Sequence, residues 1–290
     1  MVDSAVLNNI LLFGPVFLLI AARAFAMIQV APLFNSEAIP QVVKLSLAGL
    51  AAFAVIPTAE IFMAANSPAG LVTLPGGEMT DLRYEPFSLR FGLLVVGEAI
   101  IGIIIGFYLT IIFATFSTAG QFFSLQMGFG ASETFDPIGQ IENPLIGQYF
   151  NIVSMLIFLT IGGFHKLFLG GFWRSVQTIN IISLVDGRES IVSMLTFGLS
   201  QLFLDAIIIS MPILGTLFLT SLTTGLISKA APQINILSEG FPISITVAFI
   251  ILFASLPFLI EAFSRVIDSG FRTIETLFTL IGRHITEGVY

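Results

Sequence analysis

The 290-residue chain is 56% hydrophobic and only 10% charged, and its mean hydropathy is +1.00. Ordinary soluble domains carry roughly 25% charged residues, so this composition is typical of an integral membrane protein. A net charge of −7 argues against a nucleic-acid partner, because such a partner needs a basic face. The absence of cysteine excludes disulfides, thiolate catalysis and cysteine-ligated zinc.

Six apolar runs are long enough to cross a bilayer, which takes a helix of about 20 residues. They cover residues 10–34, 42–65, 91–118, 145–172, 191–228 and 242–263. Lipid forces such runs to be helical, because every backbone amide must find its partner within the segment. The sequence therefore predicts an all-α, membrane-type helical protein, with the turn-rich stretch 66–90 as an extramembrane loop.

The fifth run is too long for a simple span. As one helix, residues 191–228 would measure about 57 Å at 1.5 Å per residue, nearly twice the hydrocarbon thickness. Either the helix is broken, with a kink at Pro212, or it leaves the bilayer. After the sixth run, apolar residues recur at spacings of three and four, which predicts an amphipathic C-terminal helix. These residues are Phe271, Ile274, Phe278, Ile281 and Ile285.

Motifs for catalysis or metal binding are missing from the sequence. The two histidines, His165 and His284, are far apart and lack the spacing of a metal site. The sequence contains no Gly-x-Ser-x-Gly elbow, His-Glu-x-x-His motif or phosphate loop. We therefore expect no enzymatic activity, no cofactor and no metal site.

Two carboxylates lie inside apolar runs, Glu98 in the third and Asp205 in the fifth. Such residues can mark an ion or proton path, and the alternative is buried hydrogen bonding. We expect the second role, so that an amide at either position keeps substantial function. Glu98 is accompanied by Gly97, Gly102 and Gly106, which leave one helix face without side chains. That face predicts close packing against another subunit.

Four stretches carry a family resemblance, and they occur in the same order as in that family. They are "RAFAMIQVAPLFNSEAIPQVVKLSLAGLAAFAVIP" at 23–57, "GEAIIGIIIG" at 97–106, "AGQFFSLQMGFGASETFDP" at 119–137 and "SKAAPQINILSEGFPI" at 228–243. Together they resemble the signature segments of the FliR family of flagellar export-gate subunits, whose injectisome relatives are the SctT proteins. The family often has a basic residue where this chain has Ser244, so the resemblance does not extend to a charge-dependent contact there.

The resemblance implies an architecture. One FliR-like chain joins FliP and FliQ subunits in a closed helical hetero-oligomer in the bacterial inner membrane, at the flagellar basal body. FlhB and FlhA would be further partners, membrane lipid would surround the assembly, and unfolded flagellar proteins would be exported through its pore. Residues 1–185 would resemble a FliP subunit, and residues 186–290 a FliQ-like hairpin with the amphipathic C-terminal helix.

Three alternatives to a flagellar export gate stay open at this stage. The first is an injectisome export-gate subunit of the same family. The second is an ion-coupled secondary transporter that uses Glu98 and Asp205, although the two halves of the sequence show no internal repeat. The third is a structural membrane scaffold.

The stretch 119–137 mixes apolar, polar and glycine residues and contains no Lys or Arg. The resemblance implies that it forms a mobile loop that plugs the pore, with Gly120, Gly128 and Gly130 supplying the backbone freedom to move. Adaptable apolar side chains suit a seal that excludes water. The alternative is a re-entrant turn packed against a neighbour. The expected plug residues are Phe122, Phe123, Gln126, Met127, Gly128, Phe129 and Gly130.

A polar turn is predicted between the two FliQ-like helices, bracketed by Pro232 and Pro242. Gln233 and Asn235 would either hold this turn through backbone hydrogen bonds or contact FlhB. Gly240 and Phe241 complete the segment before Pro242.

Overall fold

The computed structural model describes residues 4–35, 39–66, 71–73, 79–81, 89–128, 145–179, 184, 187–230 and 236–287. Most of this structure is helical. The helices are α1 (Ser4–Val30), α2 (Gln41–Asn66), α3 (Leu89–Met127), α4 (Leu145–Thr160), α5 (Gly163–His165), a π-helix (Lys166–Trp173), α6 (Arg174–Thr178), α7 (Arg188–Ala230) and α8 (Ile236–Glu287). Two short strands, β1 (Leu71–Thr73) and β2 (Met79–Asp81), pair antiparallel with Val72 opposite Thr80.

The predicted all-α, membrane-type fold is confirmed. By length and composition, α2, α3, α7 and α8 can each cross a membrane. The fourth apolar run is a broken helix, and it counts as a fifth span if its two parts are taken together. The break is at Gly162, whose φ of +70° is a left-handed conformation that glycine adopts without steric cost. The strands β1 and β2 lie within the stretch predicted as an extramembrane loop.

Both long C-terminal helices are continuous. Helix α7 has 43 residues and continues through Pro212, so the chain does not leave the helix there. The kink at Pro212 and the alternative that the helix leaves the bilayer both stay predictions. One proline removes a single backbone hydrogen bond, and a long helix with apolar residues on both sides tolerates that loss. Helix α8 has 52 residues and includes the predicted amphipathic helix as its C-terminal part, where Phe271, Ile274 and Phe278 are buried.

The chain forms two compact units. The first contains Met1–Thr110, Phe164–Leu195 and Phe271–Tyr290, and the second contains Ile111–Gly163 and Thr196–Gly270. Both units draw on both halves of the sequence, because α3, α7 and α8 contribute residues to each. The division at residues 185 and 186 concerned likeness to FliP and FliQ, and it stays a prediction.

In the first unit, α1 and α3 pack with unusually little space between them. A Cβ atom on Gly102 would overlap the backbone oxygen of Arg23, and one on Gly106 would lie 2.8 Å from the backbone oxygen of Met27. Thr110 adds a hydrogen bond from its hydroxyl to the backbone oxygen of Val30, at 3.1 Å. Glycine is therefore required at these crossing points, because any side chain would separate the two helices.

The second unit has an aromatic core, which we call the phenylalanine cluster. Its rings belong to Phe113, Phe116, Phe123, Phe150, Phe158 and Phe263. The closest pair, Phe116 and Phe263, has ring centroids 4.3 Å apart, and Phe123 meets Phe150 edge-on at 5.0 Å. Such tilted and edge-on contacts add to the apolar burial that holds α3, α4 and α8 together here.

The glycine crossing predicts a sharp difference between two alanine substitutions in the same helix. Gly102→Ala should destabilise the protein by about 1–3 kcal/mol, because the new methyl group meets backbone that cannot move aside alone. Gly92→Ala is the matched control, since no atom lies within 4 Å of a Cβ there and alanine favours the helix. The measurement is the thermal aggregation midpoint in detergent, and equal midpoints for both variants would refute the crossing.

Candidate functional site

A buried cation lies at the centre of the first unit. The side chain of Arg23, on α1, is only 2% exposed, and its Nε and Nη2 atoms both lie 2.6 Å from Oε2 of Glu98 on α3. Its Nη1 donates to Oγ of Ser175 at 3.2 Å, and its Nη2 donates to the backbone oxygen of Ile179 at 2.8 Å. One guanidinium therefore connects α1, α3 and the segment formed by α6 and Ile179, which follows it.

This arrangement decides between the two interpretations of Glu98. Its carboxylate oxygen neutralises a buried cation, which is a structural use and not the open end of an ion path. With Arg23 as the partner of Glu98, we now expect Glu98→Gln to destabilise the protein and not to keep substantial function, because glutamine would leave the Arg23 charge unbalanced. Arg23 was not predicted as the partner of Glu98, although a lone arginine within an apolar run signals a buried carboxylate.

Asp205 is in a different environment, in the second unit. Nε2 of Gln201, one turn earlier on α7, donates to its Oδ1 at 3.0 Å. An asparagine would keep this acceptor, so the expectation of substantial function with an amide at position 205 stays a prediction. Glu98 and Asp205 each have a hydrogen-bond partner within their own unit.

The small-residue face beside Glu98 packs inside the chain. The helix that approaches Gly102 and Gly106 is α1 of the same chain, so the assignment of this face to contact with another subunit is wrong. Gly97 is also buried. Sequence alone could identify a close helix crossing here but not which helix would take part in it.

The predicted plug loop is helical in its first half. Helix α3 continues to Met127, so residues 119–127 are not a mobile loop, and Gly128 follows as a turn residue with φ of +89°. Gly120 does not supply flexibility, because a Cβ there would lie 2.5 Å from Cα of Gly147 on α4. This glycine allows two helices of the second unit to touch. Phe129, Gly130 and residues 131–137 lie outside the described residues.

The side chains at this helix end divide into two groups. Phe123 and Met127 are buried, at 0% and 1% exposure, and Phe123 belongs to the phenylalanine cluster. Phe122 and Gln126 are half-buried, and Leu125 is exposed. The buried pair anchors the helix end, while the other side chains remain available to a neighbour.

The predicted turn between the FliQ-like helices is only partly described. Helix α8 begins at Ile236, so Gly240, Phe241 and Pro242 are helical, and the prediction that Pro242 closes a turn is wrong. Pro242 is the seventh residue of α8 and removes one backbone hydrogen bond, a loss that a 52-residue helix tolerates. Pro232, Gln233 and Asn235 lie outside the described residues.

Ligands for metal or acid–base chemistry do not converge in the part of the chain that the structure describes, where no three His, Asp or Glu groups come together. His165, at the end of α5, is exposed. The chemistry available at the described sites is packing, hydrogen bonding and one buried ion pair.

Large apolar side chains cover the outside of three helices. In the most apolar 18-residue stretch of each helix, 61% of residues are buried for α3 but only 33% for α7, 22% for α2 and 17% for α8. The exposed residues on α7 include Phe203, Ile207, Met211 and Phe218. This surface requires lipid or protein to cover it.

Comparison with known proteins identifies a family. Residues 15–270 match the family described as bacterial export proteins, family 1. A flagellar biosynthetic protein FliR from Borreliella burgdorferi is 35% identical over 196 residues, which are 67% of this chain and 73% of that protein. The FliR protein of Bacillus subtilis is 27% identical over 278 residues, or 95% of this chain and 99% of its own length. That of Escherichia coli is 28% identical over 235 residues, or 81% and 82%.

The buried ion pair predicts strong coupling between two substitutions. Arg23→Gln and Glu98→Gln should each destabilise the protein by roughly 3–5 kcal/mol, because each leaves a buried charge or buried acceptors unpaired. The double variant should lose clearly less stability than the sum of the losses in the two single variants, since neither charge remains. Thermal aggregation midpoints of the four proteins measure this coupling.

The exposed pair of Arg265 and Glu261 is the matched control, with side chains 72% and 73% exposed. The same glutamine substitutions there should leave the midpoint nearly unchanged, because the fold of this chain buries neither charge. Additive losses at Arg23 and Glu98 would contradict the ion pair.

Proposed function

The chain belongs to the bacterial export proteins, family 1, the family of the FliR proteins that it resembles, and we propose that it is a core subunit of the flagellar type III protein export gate. In this proposal it co-forms a pore with FliP and FliQ subunits, and unfolded flagellar proteins pass through that pore. The observation that carries the proposal is the family match over residues 15–270, together with full-length relatives named as flagellar FliR proteins.

The exposed apolar surfaces support assembly with other helical subunits. Helices α2, α7 and α8 leave most of their apolar residues uncovered within the chain. Helix α7 would be about 64 Å long at 1.5 Å per residue, and α8 about 78 Å, against a hydrocarbon core of about 30 Å. Lipid can cover only part of such a helix, so neighbouring protein must cover the remainder.

A sealing role is assigned to the end of α3 and the residues that follow it. Phe123 and Met127 would anchor this element in the core, so that Phe122, Leu125 and the following stretch can meet the pore. Apolar side chains at a constriction exclude water and therefore ions. The plug thus has a rigid helical base, unlike the wholly mobile loop predicted from the sequence.

A flagellar role is favoured over the alternatives by two observations. The relatives in Borreliella burgdorferi, Bacillus subtilis and Escherichia coli are named as flagellar proteins, which favours the flagellum over an injectisome. The carboxylate of Glu98 forms an ion pair with Arg23, so an ion-coupled transporter would lack one of its two candidate carboxylates. The chain would act without catalysis, in the bacterial inner membrane at the flagellar basal body, with FlhB and FlhA as further partners.

Purification tests the proposed assembly. Co-expressed with FliP-type and FliQ-type chains, a tagged form of this chain should retain both through size exclusion in detergent. Expressed alone it should aggregate, because its apolar surfaces lack their partners. A monodisperse monomer that does not bind either partner would contradict the proposal.

The proposed seal predicts different effects for two neighbouring residues. Phe122→Ala should leave assembly intact but increase ion flux across the membrane, because apolar volume is removed from the constriction. Met127→Ala should instead lower the amount of assembled complex, since removal of a buried methionine side chain costs about 2–5 kcal/mol. Unchanged ion flux in an assembled Phe122→Ala complex would exclude Phe122 from the seal.

A further inference from the structure

The second half of the broken span, Gly163–Thr178, contains an eight-residue π-helix, Lys166–Trp173. At its end, the backbone N–H of Arg174 donates to the backbone oxygen of Leu169, five residues earlier. An α-helix would use the oxygen four residues earlier, so this segment holds an additional residue in its winding. π-Helices are rare and occur frequently at functional sites.

Two adjacent glycines lie in the second half of this π-helix, and neither is needed for space. A Cβ on Gly171 would make ordinary contacts, 3.7 Å from Leu167 and 3.9 Å from Ile105. A Cβ on Gly170 would lie 3.4 Å from Oε1 of Glu275, the end of a flexible side chain. Glycine lowers the preference for a regular α-helix by about 1 kcal/mol relative to alanine. The pair therefore keeps the local backbone free to change its winding.

The two ends of the π-helix are fixed by different kinds of contact, one aromatic and the other polar. Before it, Phe164 packs against Phe34 with ring centroids 5.8 Å apart. At its C-terminal end, its last residue and the two residues that follow make polar contacts with three other helices of the first unit. Nε1 of Trp173 donates to Oγ1 of Thr58 at 2.9 Å, Nη1 of Arg174 lies 3.5 Å from Oε1 of Glu275, and Oγ of Ser175 accepts from Arg23 at 3.2 Å.

We infer that Lys166–Trp173 is a register switch that turns α6 relative to the residues before it. In the present state the additional residue is held in the π-helix, and the contacts of Trp173, Arg174 and Ser175 are made. In the other state the segment winds as a regular α-helix, which turns the following residues by about 100°, one residue of an α-helix. That turn releases all three contacts together. The register switch rests on the proposed function only for its purpose, which is to accompany opening of the export gate.

Cross-linking tests whether α6 must turn. The chain has no cysteine of its own, so Gly170→Cys with Glu275→Cys can be bridged specifically by a cleavable bifunctional thiol reagent in assembled complexes. Bridging should lower secretion of flagellar proteins by roughly tenfold, and cleavage of the bridge should restore it, because the bridge fixes the π register. The control pair, Phe34→Cys with Phe164→Cys, lies before the switch and should export equally with and without the bridge. Unchanged secretion with the Gly170–Glu275 bridge would overturn the switch.

A single-residue deletion tests the additional residue independently of export. Deletion of Gly170 should leave the amount of chain in the membrane within about twofold of the parent, because a regular α-helix then joins both anchored sides in register. Deletion of exposed Leu156 from the regular helix α4 should lower the amount of chain in the membrane by roughly tenfold, since every later residue of the helix is rotated away from its contacts. Equal losses for both deletions would overturn the inference.

Failure of the parent chain to restore export to a strain without its FliR protein would instead refute the proposed function, and the deletion pair would still decide the winding.

Discussion

The buried guanidinium of Arg23 is the interaction on which the first unit depends. A charge removed from water in an apolar interior must be neutralised and hydrogen-bonded, or the fold that contains it is unstable. Glu98 supplies the opposite charge from α3, and Ser175 and the backbone of Ile179 supply acceptors from the end of α6. The positions of three chain segments are therefore set by the donor geometry of one side chain.

The ion pair and the glycine face are parts of one constraint. Gly102 lies against the backbone of Arg23 itself, and one turn later Gly106 lies against that of Met27. On the same pair of helices, Nη2 of Arg23 lies 2.6 Å from Oε2 of Glu98. The helix crossing thus serves to place a charge pair, and the charge pair in turn fixes the register of the crossing.

The sequence could predict elements whose signal is local. Lipid-length apolar runs and the three-and-four spacing of Phe271, Ile274 and Phe278 gave the helices and the buried face of α8 correctly. The predictions were wrong where the role of a residue depends on a partner that is far away in the sequence. Gly120 was predicted to be flexible, because the sequence does not show that Gly147, on α4, packs against it. Glu98 was given no partner because Arg23 lies 75 residues away, and the π-helix has no sequence signal beyond two glycines.

In the proposed export gate, protein and not lipid covers the long apolar helices of this chain. The most direct test is an electron cryo-microscopy map of this chain purified with FliP-type and FliQ-type partners from native membranes. We expect helical density of neighbouring subunits against Phe203, Ile207 and Met211 of α7, with Arg23 still bound to Glu98 inside the chain. Detergent or lipid density along that whole face of α7, with no neighbouring helix, would contradict it.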